Sequence, residues 1–178
     1  MSLQKKTLKE SEVSTDINLK ELMGDLSNNK VVRNVFLQMA LDKLQERLDS
    51  GRGVDGKLAP YSQSYKDSAS YKIWGKSSTV NMQLSGDMLA AIKELNSSNG
   101  KIKIGIDDST EAAKAYGHMT GMKGHPTLAG KVPVRNWFGW TDKELEQIAT
   151  ELTPEAATQK ETITDQDVLR ILERMGFG

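Results

Sequence analysis

The sequence predicts an α+β fold: a small antiparallel sheet packed against a long helix in the N-terminal half and a C-terminal helix. Three observations carry that expectation. Residues 31–49 repeat apolar side chains at three- and four-residue spacing, the period of a helix with one buried face. Lys101-Ile102-Lys103-Ile104-Gly105-Ile106 alternates strictly, the period of a strand with isoleucines inward and lysines outward. Thr141 followed by Glu144 is the signature of a capping box, in which hydroxyl and carboxylate satisfy the first free amides of a helix.

Residues 1–30 mix Lys, Glu, Ser, Asn and Asp with few large apolar groups. They read as an N-terminal arm of weak ordering power, in which Ile17, Leu19, Leu22, Met23 and Leu26 hint at a short helix. Asn28 and Asn29 are placed to cap the next element. In the helix over 31–49, Val32, Val35, Phe36, Met39, Leu41, Leu44 and Leu48 form the apolar stripe, and Arg33, Asp42, Lys43, Glu46 and Arg47 the polar one. Gly51 and Gly53 end it.

Residues 52–78 read as a long irregular segment, with a turn at Asp55-Gly56 and Pro60 opposing helix at Ala59. Three of the four tyrosines, Tyr61, Tyr65 and Tyr71, lie here. A structureless loop of that length is uncommon in a compact domain, so a short helix near Ser62–Lys72 or a flap that orders on assembly is expected. Ser85-Gly86-Asp87 precedes a short helix or a helix-to-strand transition with Met88, Leu89 and Ile92. Met82 and Leu84 are candidates for a strand pairing with 101–106, after a turn-rich cluster at 96–100.

Residues 109–116 look helical or turn-like, and 117–130, with four glycines, both histidines and Pro126, read as a loop. Val132-Pro133-Val134-Arg135 is expected as an extended edge, since proline cannot donate to a central ladder. The capped helix runs through about Leu152, with Leu145, Ile148, Ala149 and Leu152 on its apolar side, and Thr153-Pro154 breaks it. The polar stretch to 163 reads as a linker, and Val168, Leu169, Leu172 and Met175 share one side of a last short helix. The chain thus divides into an arm (1–30), an α+β domain (31–152) and a linker with a C-terminal helix (153–178), without an internal repeat.

Composition narrows the function. A chain of 178 residues, 37% hydrophobic and 27% charged, suits one domain with extensions. Twenty-four basic residues balance twenty-four acidic ones, so no overall field draws the chain to DNA or anionic lipid. The absence of cysteine excludes disulfides, a thiol nucleophile and cysteine-ligated zinc. No apolar run approaches the roughly 20 residues that span a bilayer, and Met1 to Lys9 lacks the apolar stretch of a signal peptide. A soluble protein made in the cytoplasm is expected. The balance hides an asymmetry: 51–106 holds eight Lys/Arg against four Asp/Glu, a net of +4, and 141–178 four against nine, a net of −5. That is either plain surface variation or a pair of faces that meet in neighbouring subunits.

Chemical constellations are sparse. His118 and His125 stand seven apart with no acidic residue between them, unlike a metal site, and Asp107-Asp108 lacks the pattern of a calcium loop. No Gly-x-Ser-x-Gly elbow, Walker loop or dinucleotide fingerprint occurs. No catalytic residue, metal or cofactor is therefore assigned. A small hydrolase using His118 or His125, and a nucleic-acid binder using the lysines and tyrosines of 51–106, remain as alternatives from other classes. Trp137-Phe138-Gly139-Trp140 is the most conspicuous cluster. Phe138 is expected in the core, with Trp137 or Trp140 on the opposite side at a subunit contact.

Several motifs, in order, resemble the phage virion morphogenesis, or tail completion, family of Mu-like tailed phages. They are Gly53-Val54-Asp55-Gly56; Ala59-Pro60-Tyr61-Ser62 with Tyr65; Leu84-Ser85-Gly86-Asp87-Met88-Leu89 with Ile92; Ile102-Lys103-Ile104-Gly105; Ala115-Tyr116-Gly117-His118; and Val132-Pro133-Val134-Arg135-Asn136-Trp137-Phe138-Gly139-Trp140-Thr141. The likeness spans about 31–152. One residue too many lies between Arg135 and Phe138, and 66–76 lacks the family's basic, helix-like run.

The resemblance implies a structural protein without catalytic residues, which completes the head-proximal end of the tail and enables head-tail joining. It implies a homo-oligomeric ring, possibly a hexamer, that touches the tail tube or tail terminator and the neck or connector proteins. A head-tail connector of related fold is the nearest alternative. The protein would be assembled in the host cytoplasm and reside in the tail-neck region of the virion, with DNA met only as it passes through the channel. Arg135, Trp137, Trp140, Tyr61 and Tyr65 are the candidate interface residues. Arg135 is expected to support the turn before the capped helix, or a subunit contact, by pairing with a carboxylate of the acidic 141–178 segment.

Overall fold

The computed structural model describes residues 3–83 and 86–152. Its centre is a four-stranded antiparallel sheet in the order β1-β2-β6-β5, built from β1 (Gln4–Lys9), β2 (Glu12–Asn18), β5 (Lys93–Ser98) and β6 (Lys101–Ile106). The fold is α+β, as expected. Residues 3–30 are not an arm, however. They form a hairpin whose second strand lies inside the sheet, with Val13, Thr15 and Ile17 opposite Ile106, Ile104 and Ile102. Val13, Ile17 and the three isoleucines are fully buried on one face. The other face carries Glu12, Ser14 and Lys103, joined by a Ser14–Glu12 hydrogen bond of 2.5 Å and a Lys103–Glu12 ion pair of 3.3 Å. One packed and one polar face is the usual state of an antiparallel sheet.

Two short turns of helix, α1 (Leu19–Met23) and a 3₁₀ turn (Gly24–Asn28), lead to α2 (Lys30–Asp49). Asn29 caps α2 through its side-chain oxygen, which accepts from Val31 and Val32 amides at 2.9 and 3.3 Å. Its buried residues are Val32, Phe36, Met39, Ala40, Leu44 and Leu48, largely the stripe the sequence predicts. A minimal hairpin, β3 (Arg52–Gly53) with β4 (Gly56–Lys57), follows. The irregular segment then carries α3 (Gln63–Lys66) and α4 (Ala69–Ile73), and α5 (Asp87–Ala90) comes before the sheet resumes.

Strand β6 pairs with β2 and β5, not with Met82, which sits at a positive φ of 57° in a bend; Leu84 lies outside the described residues. The cluster at 96–100 is mostly strand β5, with the reversal confined to Asn99-Gly100 at φ 52° and 70°. The next helix, α6 (Ser109–Thr120), runs four residues past the predicted end, so Gly117 and His118 are helical rather than in the loop. Val132 to Arg135 form no strand. The capping box behaves as predicted: the Thr141 amide donates to Glu144 Oε2 at 2.7 Å, the Glu144 amide to Thr141 Oγ1 at 3.1 Å, and α7 (Asp142–Leu152) follows. The predicted linker and last helix at 153–178 lie outside the described residues. Among the described residues no helix is long and apolar enough to cross a membrane.

The segment Trp137–Trp140 is the middle of the core. Trp137, Phe138 and Trp140 are all 0% exposed. Adjacent rings meet edge-on at 5.5 and 5.6 Å. The expectation of Trp137 or Trp140 opposite Phe138 rests on alternation along an extended chain, which separates Trp137 from Phe138 but leaves Trp140 on the same side as Phe138. That alternation fails at 135–137, where the Trp137 amide donates to the Arg135 carbonyl at 2.9 Å in a three-residue turn, and again at Gly139, whose φ is +105°. The segment lies between the hairpin and α2: the Gln4 amide group donates to the Trp140 carbonyl, and Trp140 Nε1 donates to the Ala40 carbonyl at 2.7 Å. Trp137 and Trp140 are therefore core residues and make no surface for a neighbouring subunit.

Candidate functional site: a motif junction and the cleft beside it

Arg135 is 5% exposed and holds two strands of irregular backbone together. Its Nε donates to the Ala59 carbonyl at 3.0 Å and its Nη2 to the Pro60 carbonyl at 3.1 Å. Its own amide donates to the His118 carbonyl, at the end of α6, at 2.9 Å. One residue on, the Asn136 carbonyl accepts from the Val54 amide at 2.8 Å, and Asn136 Nδ2 donates to Asp55 Oδ2 at 2.5 Å. Gly53 packs against that same carbonyl so closely that a Cβ there would overlap it. Stretches 53–56, 59–62, 115–118 and 132–141, separate in sequence, thus converge on one junction.

Arg135 was expected to pair with a carboxylate of 141–178; among the described residues it pairs with none and is held by carbonyls. Its other neighbour is the Tyr61 ring, with the guanidinium carbon 5.7 Å from the centroid. Tyr61, Tyr65 and Tyr71 form a triangle of rings with centroids 5.1 to 5.9 Å apart. Tyr61 and Tyr65 are only half-buried, and burial raises both phenols above their usual pKa. The role of pairing with the acidic end falls instead to Arg47, which the sequence shows only as one of several polar α2 residues. Its Nη1 reaches both carboxylate oxygens of Glu144 at 2.7 Å, and its Nη2 donates to the Trp137 and Gly139 carbonyls.

On the open side of the junction lies a cleft of about 360 Å³. One wall is α6, which presents Glu111, Lys114 and His118 at spacings of three and four residues. The opposite wall is Tyr61, Tyr65 and Arg135, and Met82, Met88 and Met122 supply apolar lining. Four cations, Lys76, Lys114, Lys131 and Arg135, face one carboxylate, Glu111. Lys114 Nζ donates to Glu111 Oε1 at 2.6 Å, which raises the lysine pKa, while Glu111 Oε2 is buried without a partner. His118 is pushed down to about 4, first by burial and then by the charge of Arg135, so it is neutral at pH 7, and its Nδ1 is buried without a partner.

The two histidines do not meet. His125 is exposed in the loop after α6, where its Nδ1 accepts from the Thr127 and Leu128 amides, both at 3.3 Å. The serine lining the cleft is Ser62, whose hydroxyl is engaged by Ser64 and by the Tyr65 amide. Among the described residues His118 therefore forms no pair with a serine nucleophile and has no carboxylate orienting its ring. Only two large apolar side chains of the 52–78 segment are well exposed, Ile73 at 80% and Trp74 at 57%, adjacent to each other at the end of α4. No family model, no curated protein and no solved structure matches this chain.

Proposed function

We propose that this chain is a structural morphogenesis protein of a tailed phage, which completes the head-proximal end of the tail and readies it for joining to the head. The observation that carries the reading is the junction at Arg135. The stretches that resemble the tail completion family are bonded to one another there, as Arg135 to Ala59 and Pro60 and Asn136 to Val54 and Asp55. Motif residues in these roles shape a rigid body rather than arm a reaction.

In this reading copies associate head to tail and close into a ring, as heterologous contacts do when their rotation closes. The exposed Ile73-Trp74 tip, flanked by Lys66, Lys72 and Lys76, is the adhesive surface of one copy. Its counterpart is the outer side of α7, where Asp142, Glu146 and Glu151 are exposed. The ring sits between the tail tube or terminator and the neck, with DNA passing through its channel.

The test is electron microscopy of particles produced with the gene interrupted. Filled heads beside complete but headless tails support the reading; intact infectious particles overturn it. Labelled protein found at the head vertex instead of the tail end would assign the related connector role.

A further inference from the structure

We propose that the cleft between α6 and the Arg135 junction is a binding site for a small organic monocarboxylate with a compact apolar body and one hydrogen-bond donor. The proposal goes beyond the structural role above and stands or falls without it.

The argument begins with Arg135. A guanidinium keeps its charge under almost all conditions, and a charge withdrawn from water is costly unless it is paired. Arg135 is 5% exposed, yet no carboxylate pairs with it among the described residues. Its bonds to the Ala59 and Pro60 carbonyls use two of its five N–H groups. The planar fork is thus fixed in direction at the wall of a cleft, with donors left over. That arrangement suits an incoming carboxylate, which accepts charge-assisted hydrogen bonds.

The remaining lining selects the rest of the ligand. Lys76, Lys114, Lys131 and Arg135 against Glu111 leave a net charge of +3 while His118 is neutral, so a single anionic group is welcome. Methionines 82, 88 and 122, with Val132 and Pro133, offer an adaptable apolar surface for a ring or branched chain. Glu111 Oε2 and His118 Nδ1 are buried and unpartnered, a condition that costs stability unless a ligand supplies the missing hydrogen bond. A donor on the ligand answers either atom. At about 360 Å³ the cleft lies within the range of small-molecule sites.

The probe is 4-hydroxybenzoate added to the full-length protein at pH 7, with 4-hydroxybenzamide as its uncharged twin, followed through the methyl resonances of Met82, Met88 and Met122. Saturable shifts are expected with the acid, and binding weaker by about tenfold or more with the amide, the loss of one charged contact. Val132→Trp, which fills the cleft from its half-buried rim, should abolish the shifts while the unfolding midpoint is kept. Arg135→Lys should weaken the acid by about tenfold, since an ammonium cannot reproduce the fork. Should Arg135→Lys fail to fold, the amide comparison and Val132→Trp decide alone. Shifts that never saturate, equal affinity for acid and amide, or unchanged binding in Val132→Trp would each overturn the site.

Discussion

Arg47 and Glu144, 97 positions apart, are joined by a two-pronged contact in which one guanidinium nitrogen reaches both carboxylate oxygens at 2.7 Å. The pair fastens the last turn of α2 to the first turn of α7, and Glu144 also serves as the capping carboxylate of α7. With side chains only 9% and 19% exposed, removing one partner strands the other in a poorly hydrated place. Arg47→Ala should cost about 3 kcal/mol of unfolding free energy. Glu144→Gln, which keeps a capping side chain, should cost less than half as much. Urea denaturation of both single variants and the double variant checks this, and additive losses would show that the two residues do not act together.

Stability should also depend on His118 through pH. Its pKa is lowered in the folded protein to about 4, against 6.5 when unfolded, so between these values the unfolded chain binds the proton more readily. The contribution is complete above pH 6.5, declines as pH falls towards 4, and changes no further below that. Its full size is about 3 kcal/mol. His118→Gln should flatten this part of the stability profile. A variant whose profile keeps the same slope between pH 4 and 6.5 would contradict the assignment.

The tryptophans should separate folding from assembly. Trp140→Phe removes the buried hydrogen bond to the Ala40 carbonyl and some ring volume, and should lower stability by about 1 to 2 kcal/mol. Trp74→Ser, at an exposed tip, should change stability by no more than about 0.5 kcal/mol. In the proposed ring it should nevertheless reduce self-association in sedimentation or tail joining in a complementation assay. Wild-type assembly by Trp74→Ser would move the contact elsewhere.

Gly53→Ala tests the junction directly. The added methyl would lie 2.7 Å from Leu58 Cδ2 and closer still to the Asn136 carbonyl oxygen, a backbone atom that cannot swing away. A loss of about 1 to 3 kcal/mol is expected. Unchanged thermal unfolding would mean that the 53–56 turn does not bear on Asn136.

The parts of the fold with one strong period were legible. Helix α2, strand β6 and the capping box at Thr141 and Glu144 each announce themselves over a short window. The β1–β2 hairpin was not. Strand β1, with Lys5, Lys6 and Lys9, is the kind of charged edge that discourages further pairing, and in sequence it reads as an arm. Strand β2 buries Ser14 and Thr15 beside Val13 and Ile17, so its interior position leaves no apolar run. The site divided in the same way. Arg135, Tyr61 and Tyr65 stand out in the sequence and come together, whereas Trp137 and Trp140 are both buried because the turn at 135–137 and the positive φ at Gly139 are invisible to alternation. Arg47 and the cleft-facing Glu111 and Lys114 owe their roles to partners distant in sequence or to a shared helix face, and no local signal marks them.

The position of β2 in the middle of the sheet has a bearing on how the protein is made. Val13 pairs with Leu8 within the hairpin, but its partner on the other side, Ile106, leaves the ribosome about 90 residues later. At ordinary synthesis speeds of about 5–20 residues per second, the nascent hairpin waits roughly 5 to 20 s with its apolar side uncovered. During that interval the chain is a target for chaperones, and slowing translation upstream of Lys101 should lower the soluble yield without altering the finished protein.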